Sequence, residues 1–153
     1  MTNPAWVITA LGANDLEAAA AIDRQSPSPW TSGQLEGELY GPAGWRFAGH
    51  DRKSRVLAGF LLARNIAGEA EILRLGVEEG FRKQGLAAAL LDYFMKILGE
   101  EGVSKCHLEF RSQNIAAKHL YEKSGFVMTG HRKKYYTDPA DDALNMTRII
   151  PNP

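Results

Sequence analysis

The chain has 153 residues, 44% hydrophobic and 24% charged, with 18 basic against 18 acidic side chains. That length supports one domain with its own core, residues 1–153, and the zero balance argues against a protein whose main partner is bulk nucleic acid, which needs a basic face. A single cysteine, Cys106, forbids an internal disulfide and suits a reducing compartment; no apolar run approaches the ~18 residues of a membrane span, and Met1-Thr2-Asn3-Pro4 lacks the basic start of a secretory leader, so the expected setting is cytoplasmic.

Trp6 to Ala10 reads as a short first strand. Asn14 or Asp15 can cap a helix carrying Leu16, Ala19, Ala20 and Ile22 on one side, and Ser26-Pro27-Ser28-Pro29 breaks it. Thr31 with Gln34 three residues on is a capping-box signature for a second helix to about Leu39. Gly41-Pro42-Ala43-Gly44 reads as a loop. Arg46 to Asp51 and Val56 to Asn65 then form a hairpin turned by Arg52-Lys53-Ser54, and Ile66-Ala67-Gly68 turns into the strand Glu69–Val77. A helix follows with Leu86, Leu90, Phe94, Ile97 and Leu98 at helical spacing, ending near Gly99 or Gly102. Lys105 to Phe110 is a strand, Asn114 to Ser124 a helix, and Val127–Tyr135 with Leu144–Ile150 a closing hairpin. The order β-α-α-β-β-β-α-β-α-β-β defines a mixed α/β chain.

Between Glu69–Val77 and its helix lies Arg82-Lys83-Gln84-Gly85-Leu86-Ala87. A strand feeding a basic, glycine-containing loop at a helix start is a place to hold an anion: the first helical N–H groups lack partners and the dipole favours negative charge there. Arg82 and Lys83 add charge-assisted donors, and Gly85 removes a side chain where a phosphate would approach. Neither G-x-x-x-x-G-K-[ST] nor G-x-G-x-x-G occurs, which disfavours a P-loop hydrolase and a dinucleotide-binding Rossmann unit. What remains is [RQ]-x-x-G-x-[GA], filled by Arg82, Gly85 and Ala87.

Those residues resemble the acetyl-CoA loop of the GNAT N-acetyltransferases. A second stretch, Asn114-Ile115-Ala116-Ala117-Lys118-His119-Leu120-Tyr121-Glu122-Lys123-Ser124-Gly125-Phe126, resembles the family's N-x-x-A-x-x-L-Y-x-x-x-G-F at each fixed position. Leu108-Glu109-Phe110-Arg111, Pro29-Trp30-Thr31, Arg132-Lys133-Lys134-Tyr135-Tyr136 and Asp142-Ala143-Leu144-Asn145-Met146 resemble the ribosomal-protein-alanine (RimI-type) subgroup. The resemblance implies the GNAT fold: a mixed, mostly antiparallel twisted sheet flanked by four helices, whose two central parallel strands, Glu69–Val77 and Lys105–Phe110, splay around acetyl-CoA. It implies backbone pairing of the pantetheine arm with Leu75, Gly76 and Val77. The pyrophosphate would lie on Arg82, Lys83, Gln84, Gly85, Leu86 and Ala87, with Asn114 as a further pantetheine contact. Capping alone could also explain Asn114.

Direct attack of an amine on a thioester needs a base, an oxyanion donor and an acid. Glu109 is the candidate base. On a strand it shares a face with His107 and Arg111, opposite Cys106, Leu108 and Phe110, and a carboxylate in an otherwise apolar strand is costly unless exposed, paired with a neighbour such as Arg111, or functional. Glu71 is the reserve. The amide of Val77 or Leu75 is the oxyanion donor, and Tyr121 is the candidate acid, with a core aromatic as its alternative role. His50, His107, His119 and His131 show no metal spacing, so no metal is expected.

An N-terminal amine has a pKa of about 7.7–8.0 against about 10.4 for lysine, a gap worth roughly 3.4 kcal/mol of deprotonation, so one carboxylate suits an N-terminus better. The resemblance implies the N-terminal alanine of a small-subunit ribosomal protein as acceptor, with Trp30, Tyr135 and Tyr136 flanking the peptide and their faces available to its arginines. The subgroup commonly has a proline directly after the paired tyrosines; here Thr137-Asp138-Pro139-Ala140-Asp141 stands instead. A small amine or a lysine side chain is the alternative acceptor, and a silent acyl-CoA-binding module the alternative from another class. A monomer or weak dimer is expected.

Overall fold

In a computed structural model, which describes residues 5–41 and 44–151, seven strands form one sheet. They are β1 (Trp6–Ala10), β2 (Gly44–Asp51), β3 (Leu57–Ile66), β4 (Glu69–Val77), β5 (Lys105–Arg111), β6 (Val127–Thr137) and β7 (Ala140–Ile149). Their order is β1-β2-β3-β4-β5-β7-β6. Helices α1 (Leu16–Asp23), α2 (Ser32–Leu39), α3 (Leu86–Glu100) and α4 (Ile115–Lys123) complete it. The element order matches the expectation from sequence. The capping box also forms: Gln34 N–H donates to Thr31 Oγ1 at 3.1 Å and Thr31 N–H to Gln34 Oε1 at 2.8 Å.

The sheet separates two cores. On one face the stripe of α3, Leu86, Leu90, Leu91, Phe94 and Leu98, packs on Leu61, Ile72, Leu108, Phe110 and Met146. On the other, Ala19, Ala20, Ile22, Leu35 and Leu39 of α1 and α2 cover Ala48, Phe60 and Leu62. Each Leu, Ile, Phe or Met side chain among them contributes about 1.5–3 kcal/mol on removal from water. Gly49 and Gly59 pair across β2 and β3. A Cβ on either would stand 2.8 Å from a Leu86 methyl, so the two glycines leave the hollow into which the first residue of α3 sinks.

The pair that matters for function is β4 with β5, which run parallel. They are in register at Ala70↔Cys106, Glu71↔His107 and Ile72↔Leu108, and there the pairing stops. On its other side β4 stays with β3, but Leu73 is an extra residue between Ile72 (opposite Ala63) and Arg74 (opposite Leu62). A bulge adds bend and twist, so β4 turns away from β5 one residue after their last pair. The bulge also resets which residues face α3: Ala70 and Ile72 before it, Leu75 and Val77 after it. Arg74 is thereby aimed at α1.

The final hairpin is longer than its sequence suggests. Thr137 pairs with Ala140 and Tyr136 with Asp141, leaving only Asp138 and Pro139 as the turn. Asp141 and Asp142 read as loop because carboxylates disfavour strands. Here both are satisfied locally: Ser112 Oγ and Gln113 N–H donate to Asp141, and Lys134 N–H (2.8 Å) and His131 Nε2 (2.7 Å) serve Asp142. These bonds hold both carboxyls below their ordinary range, the Ser112 hydroxyl contributing most for Asp141 and the Lys134 amide most for Asp142.

Candidate active site

Past Ile72 the two parallel strands enclose a V-shaped opening. One arm is Leu73–Val77, whose edge toward β5 carries no strand partner among the described residues. Beyond it, Gly85 caps α3 with φ +89° and ψ 7°, and Lys83 also stands at positive φ, +63°. An L side chain at the Gly85 geometry would cost roughly 1–2 kcal/mol. None of the backbone N–H groups from Lys83 to Ala88 has an acceptor among the described residues; the first bond back into the helix is Ala89 N–H to Gly85 C=O, 3.0 Å. A run of unpaired amides curled through left-handed residues is a concavity for an anion. Arg82 Nε donates to Val77 C=O at 3.1 Å and its Nη2 to Gln25 Oε1 at 3.4 Å, which fixes the loop on the end of β4. Leu86, a predicted phosphate contact, has only its N–H to offer, because its side chain is buried in the glycine hollow.

The other arm is β5. Cys106, Leu108 and Phe110 are buried and His107, Glu109 and Arg111 lie on the opposite face, as alternation requires. Glu71 pairs with His107 in the closed base of the V, whereas Glu109 is the first residue past the last pair. Asn145, directly opposite on β7, donates Nδ2 to Glu109 Oε2 at 2.6 Å, and Arg132 Nε lies 3.2 Å from the same oxygen. Asn114 caps α4, its Oδ1 accepting from Ala117 N–H at 3.1 Å; its Nδ2 has no acceptor among the described residues. Tyr121 on α4 is buried, its ring against Phe110 (5.6 Å) and Phe126 (5.8 Å). Burial, and secondarily Cys106, pushes its phenol well above the ordinary range, with Arg74 pulling weakly the other way. Tyr121 therefore keeps its proton at any working pH.

The expected acceptor-side aromatics are present, but each already carries a guanidinium of this chain. Arg74 lies over Trp30 (5.1 Å), Arg132 over Tyr135 (5.1 Å) and Arg111 over Tyr136 (4.2 Å). Tyr135 and Tyr136, neighbours on one strand, touch edge-on at 5.1 Å. An irregular stretch between Arg132 and Tyr136, with Lys134 at φ +52°, breaks the alternation that would send them to opposite faces.

Two residues of this region were not predicted as part of it. Asp23 is 3% exposed; its Oδ1 accepts from Arg74 Nε (2.8 Å) and Nη2 (2.6 Å), and its Oδ2 from Trp30 N–H (2.7 Å). The signal was available: Leu16, Ala19, Ala20 and Asp23 are spaced on one helical face, and a buried carboxylate demands a partner. Arg74 within the apolar run of β4 was the other half of that signal.

A bent β4 edge, an amide-lined helix start and a carboxylate at the mouth of the V define an acyl-transfer fold, and the chain belongs to the acetyltransferase (GNAT) family, whose model matches residues 14–126. It is an acyltransferase. Over 149 aligned residues it is 32% identical to the ribosomal protein bS18-alanine N-acetyltransferase of Escherichia coli (strain K12), covering 94% of this chain and 97% of that one. The crystal structure of the E. coli ribosomal-protein-S18-alanine N-acetyltransferase superposes with a TM-score of 0.88 over 97% of this chain and 96% of that one, at 30% identity. The N-alpha-acetyltransferase RimI of Mycobacterium tuberculosis is 29% identical over 95% of this chain and 94% of its own length. Arabidopsis thaliana NAA60 in complex with acetyl-CoA shares the fold at a TM-score of 0.85 and 22% identity, covering 95% of this chain and 98% of that one. Among the described residues no cluster of three or more His, Cys, Asp or Glu is placed to hold a metal, and no helix is long and apolar enough to cross a membrane.

Proposed function

We propose that the protein transfers the acetyl group of acetyl-CoA to the α-amine of a protein N-terminus, the N-terminal alanine of a small-subunit ribosomal protein being the leading acceptor. The observation that carries this reading is Glu109 at the first open position of the V, between a β4 edge suited to pantetheine and the acceptor-side aromatics. The similarity of nearly the whole chain to alanine N-acetyltransferases supports it.

In this reading Leu75, Gly76 and Val77 pair with the pantetheine arm along the open edge of β4. The N–H groups from Lys83 to Ala87, with the Arg82 and Lys83 side chains, hold the pyrophosphate. Asn114 Nδ2, left over from the helix cap, donates to the arm. Glu109 takes the proton of the acceptor ammonium, directly or through a water. The nitrogen lone pair then forms the N–C bond, a β4 amide at Leu75 or Val77 stabilises the oxyanion, and the C–S bond breaks as the intermediate collapses. Tyr121 donates to the departing sulfur. Burial keeps the phenol protonated at rest, so it stands as a hydrogen-bond donor to the sulfur; as it passes its proton to the departing thiolate it is reprotonated by the second proton that the acceptor nitrogen sheds when the amide forms. Trp30, Tyr135 and Tyr136 flank the peptide, with the faces left free by their own arginines. Glu71, in the closed base, is a poorer base candidate than Glu109. The work is done in the cytoplasm by a monomer or weak dimer.

The test is incubation with acetyl-CoA, a panel of ribosomal N-terminal peptides and a panel of small amines, read by fragmentation mass spectrometry. An acetyl group on the α-nitrogen of alanine-starting peptides is expected. Modification of lysine or small amines alone would replace this reading, and coenzyme binding without transfer would favour a silent acyl-CoA-binding module.

A further inference from the structure

The α1–α2 connection, residues 24–31, lies across the mouth of the V and is pinned by one arginine from each arm. Arg74 of β4 donates Nη2 to Ser26 Oγ (3.1 Å) and to Ser28 C=O (3.0 Å). Arg111, the last residue of β5, donates Nε to Ser28 Oγ at 2.7 Å. Arg111 then continues to the opposite wall. Its Nη1 donates to Pro139 C=O at 2.7 Å and its Nη2 to Asp138 C=O at 3.2 Å, both in the β6–β7 turn, while its plane rests on Tyr136.

The two arginines differ in one respect. Arg74 is neutralised by the buried Asp23, so it has a structural partner independent of the loop. Among the described residues Arg111 forms no ion pair; its bonding partners are neutral oxygens, on two segments 83 and 28 residues from it in sequence. A planar fork with donors in fixed directions can serve both segments at once, which an ammonium cannot. Nothing in core packing requires an arginine here: the residue is on the polar face of β5, two positions beyond Glu109.

We propose that Arg111 is a positioning residue for the acceptor. It clamps the α1–α2 loop to the β6–β7 turn and so holds Trp30 and Tyr136 as the two walls between which the acceptor N-terminus reaches Glu109. This rests on the reading of the site as an N-terminal acetyltransferase. The clamp sets the width of the groove, and the Arg111 side chain bonds neither the β4 edge nor the α3 amides that hold acetyl-CoA in this reading.

The experiment compares wild type with Arg111→Ala, Arg111→Lys, Ser28→Ala and the Ser28→Ala/Arg111→Ala double variant. Peptide KM and kcat, acetyl-CoA Kd by calorimetry, and amide hydrogen exchange are measured. Arg111→Ala raises peptide KM about tenfold, leaves kcat within about threefold and leaves acetyl-CoA Kd unchanged. It also accelerates exchange in residues 24–31 and around Asp138 together. Arg111→Lys restores little of the KM. Ser28→Ala raises KM by about threefold, and the double variant is no worse than Arg111→Ala, because both act through one contact. A fall in kcat with KM unchanged, exchange altered in only one segment, or full rescue by lysine would overturn the proposal. Should Arg111→Ala not fold, a Ser28→Ala/Arg111→Lys double variant takes its place, and additive effects of the two substitutions in it would do the same. If wild type acetylates no N-terminal peptide, the functional reading fails, whereas the exchange measurements still decide whether the clamp exists.

Discussion

On the β4 and α3 side of the opening, the groups that face it are main-chain amides: the free edge after Leu73 and the N–H run from Lys83 to Ala88. On the β5 side they are side chains from several elements: Glu109, Arg111, Asn145, Arg132, Tyr136 and Trp30. A site made of backbone tolerates changes of side chain as long as the path of the chain is kept. A site made of converging side chains is sensitive to each of them. The first half suits a ligand common to a whole family, and the second suits one that varies between its members.

Glu109→Gln should have the largest effect, because it removes a proton acceptor while keeping the shape and the Asn145 contact. Turnover is expected to fall about 10²–10⁴-fold with acetyl-CoA affinity nearly unchanged, measured by steady-state kinetics beside calorimetry. An equal loss of both would mean that the two halves are not separable. Asp23→Ala comes next. It leaves the largely covered Arg74 without its buried counter-charge and should cost about 3–5 kcal/mol of stability in urea unfolding; a loss below about 1 kcal/mol would show that the loop holds Arg74 without it.

Tyr121→Phe should lower kcat about 10- to 100-fold at constant stability, since the phenol contributes a proton while the ring supplies the packing against Phe110 and Phe126. An unchanged rate would make Tyr121 a core residue only. Arg82→Ala, exposed and outside both cores, should weaken acetyl-CoA binding by about three- to tenfold and leave peptide KM alone. The smallest effect concerns the closed base of the V. Burial raises the Cys106 thiol from 9.0 to about 12, with Arg148 opposing weakly. The folded thiol keeps its proton while the unfolded one loses it, so this group's contribution is intact below about pH 9 and declines as pH rises toward 12. Cys106→Ala should flatten the stability profile in that window; an identical slope would mean that water reaches the base as well.

The same contrast explains what could be read in the residues. The left-handed turn into α3 was legible because a glycine at positive φ and a helix start leave a short local trace, Arg82-x-x-Gly85-x-Ala87. The alternation of β5 put Glu109 on the face opposite Cys106, Leu108 and Phe110 for the same local reason, and the structure has it there. The bend in β4 was not legible: Ile72, Leu73, Leu75 and Val77 are all apolar, so the slip of period at Leu73 is hidden in a continuous run. The β5 side of the opening was legible only as a set of residue types. That Trp30 would take Arg74 and Tyr136 would take Arg111 depends on contacts between residues far apart in sequence, as does the bond of Arg111 to Ser28; only Arg132, three residues before Tyr135, is a local partner. Asp141 and Asp142 misled for a related reason, since their partners lie on α4's leading loop and across β6.

Amide hydrogen exchange with and without coenzyme A most directly tests the division of labour between the two arms. Slowed exchange confined to Leu73–Val77 and Lys83–Ala88, with residues 24–31 and 132–142 unaffected, is the predicted result. Protection centred on the latter segments, or none on the former, would contradict the placement of the thioester along β4 and with it the assignment of Glu109 as its neighbouring base.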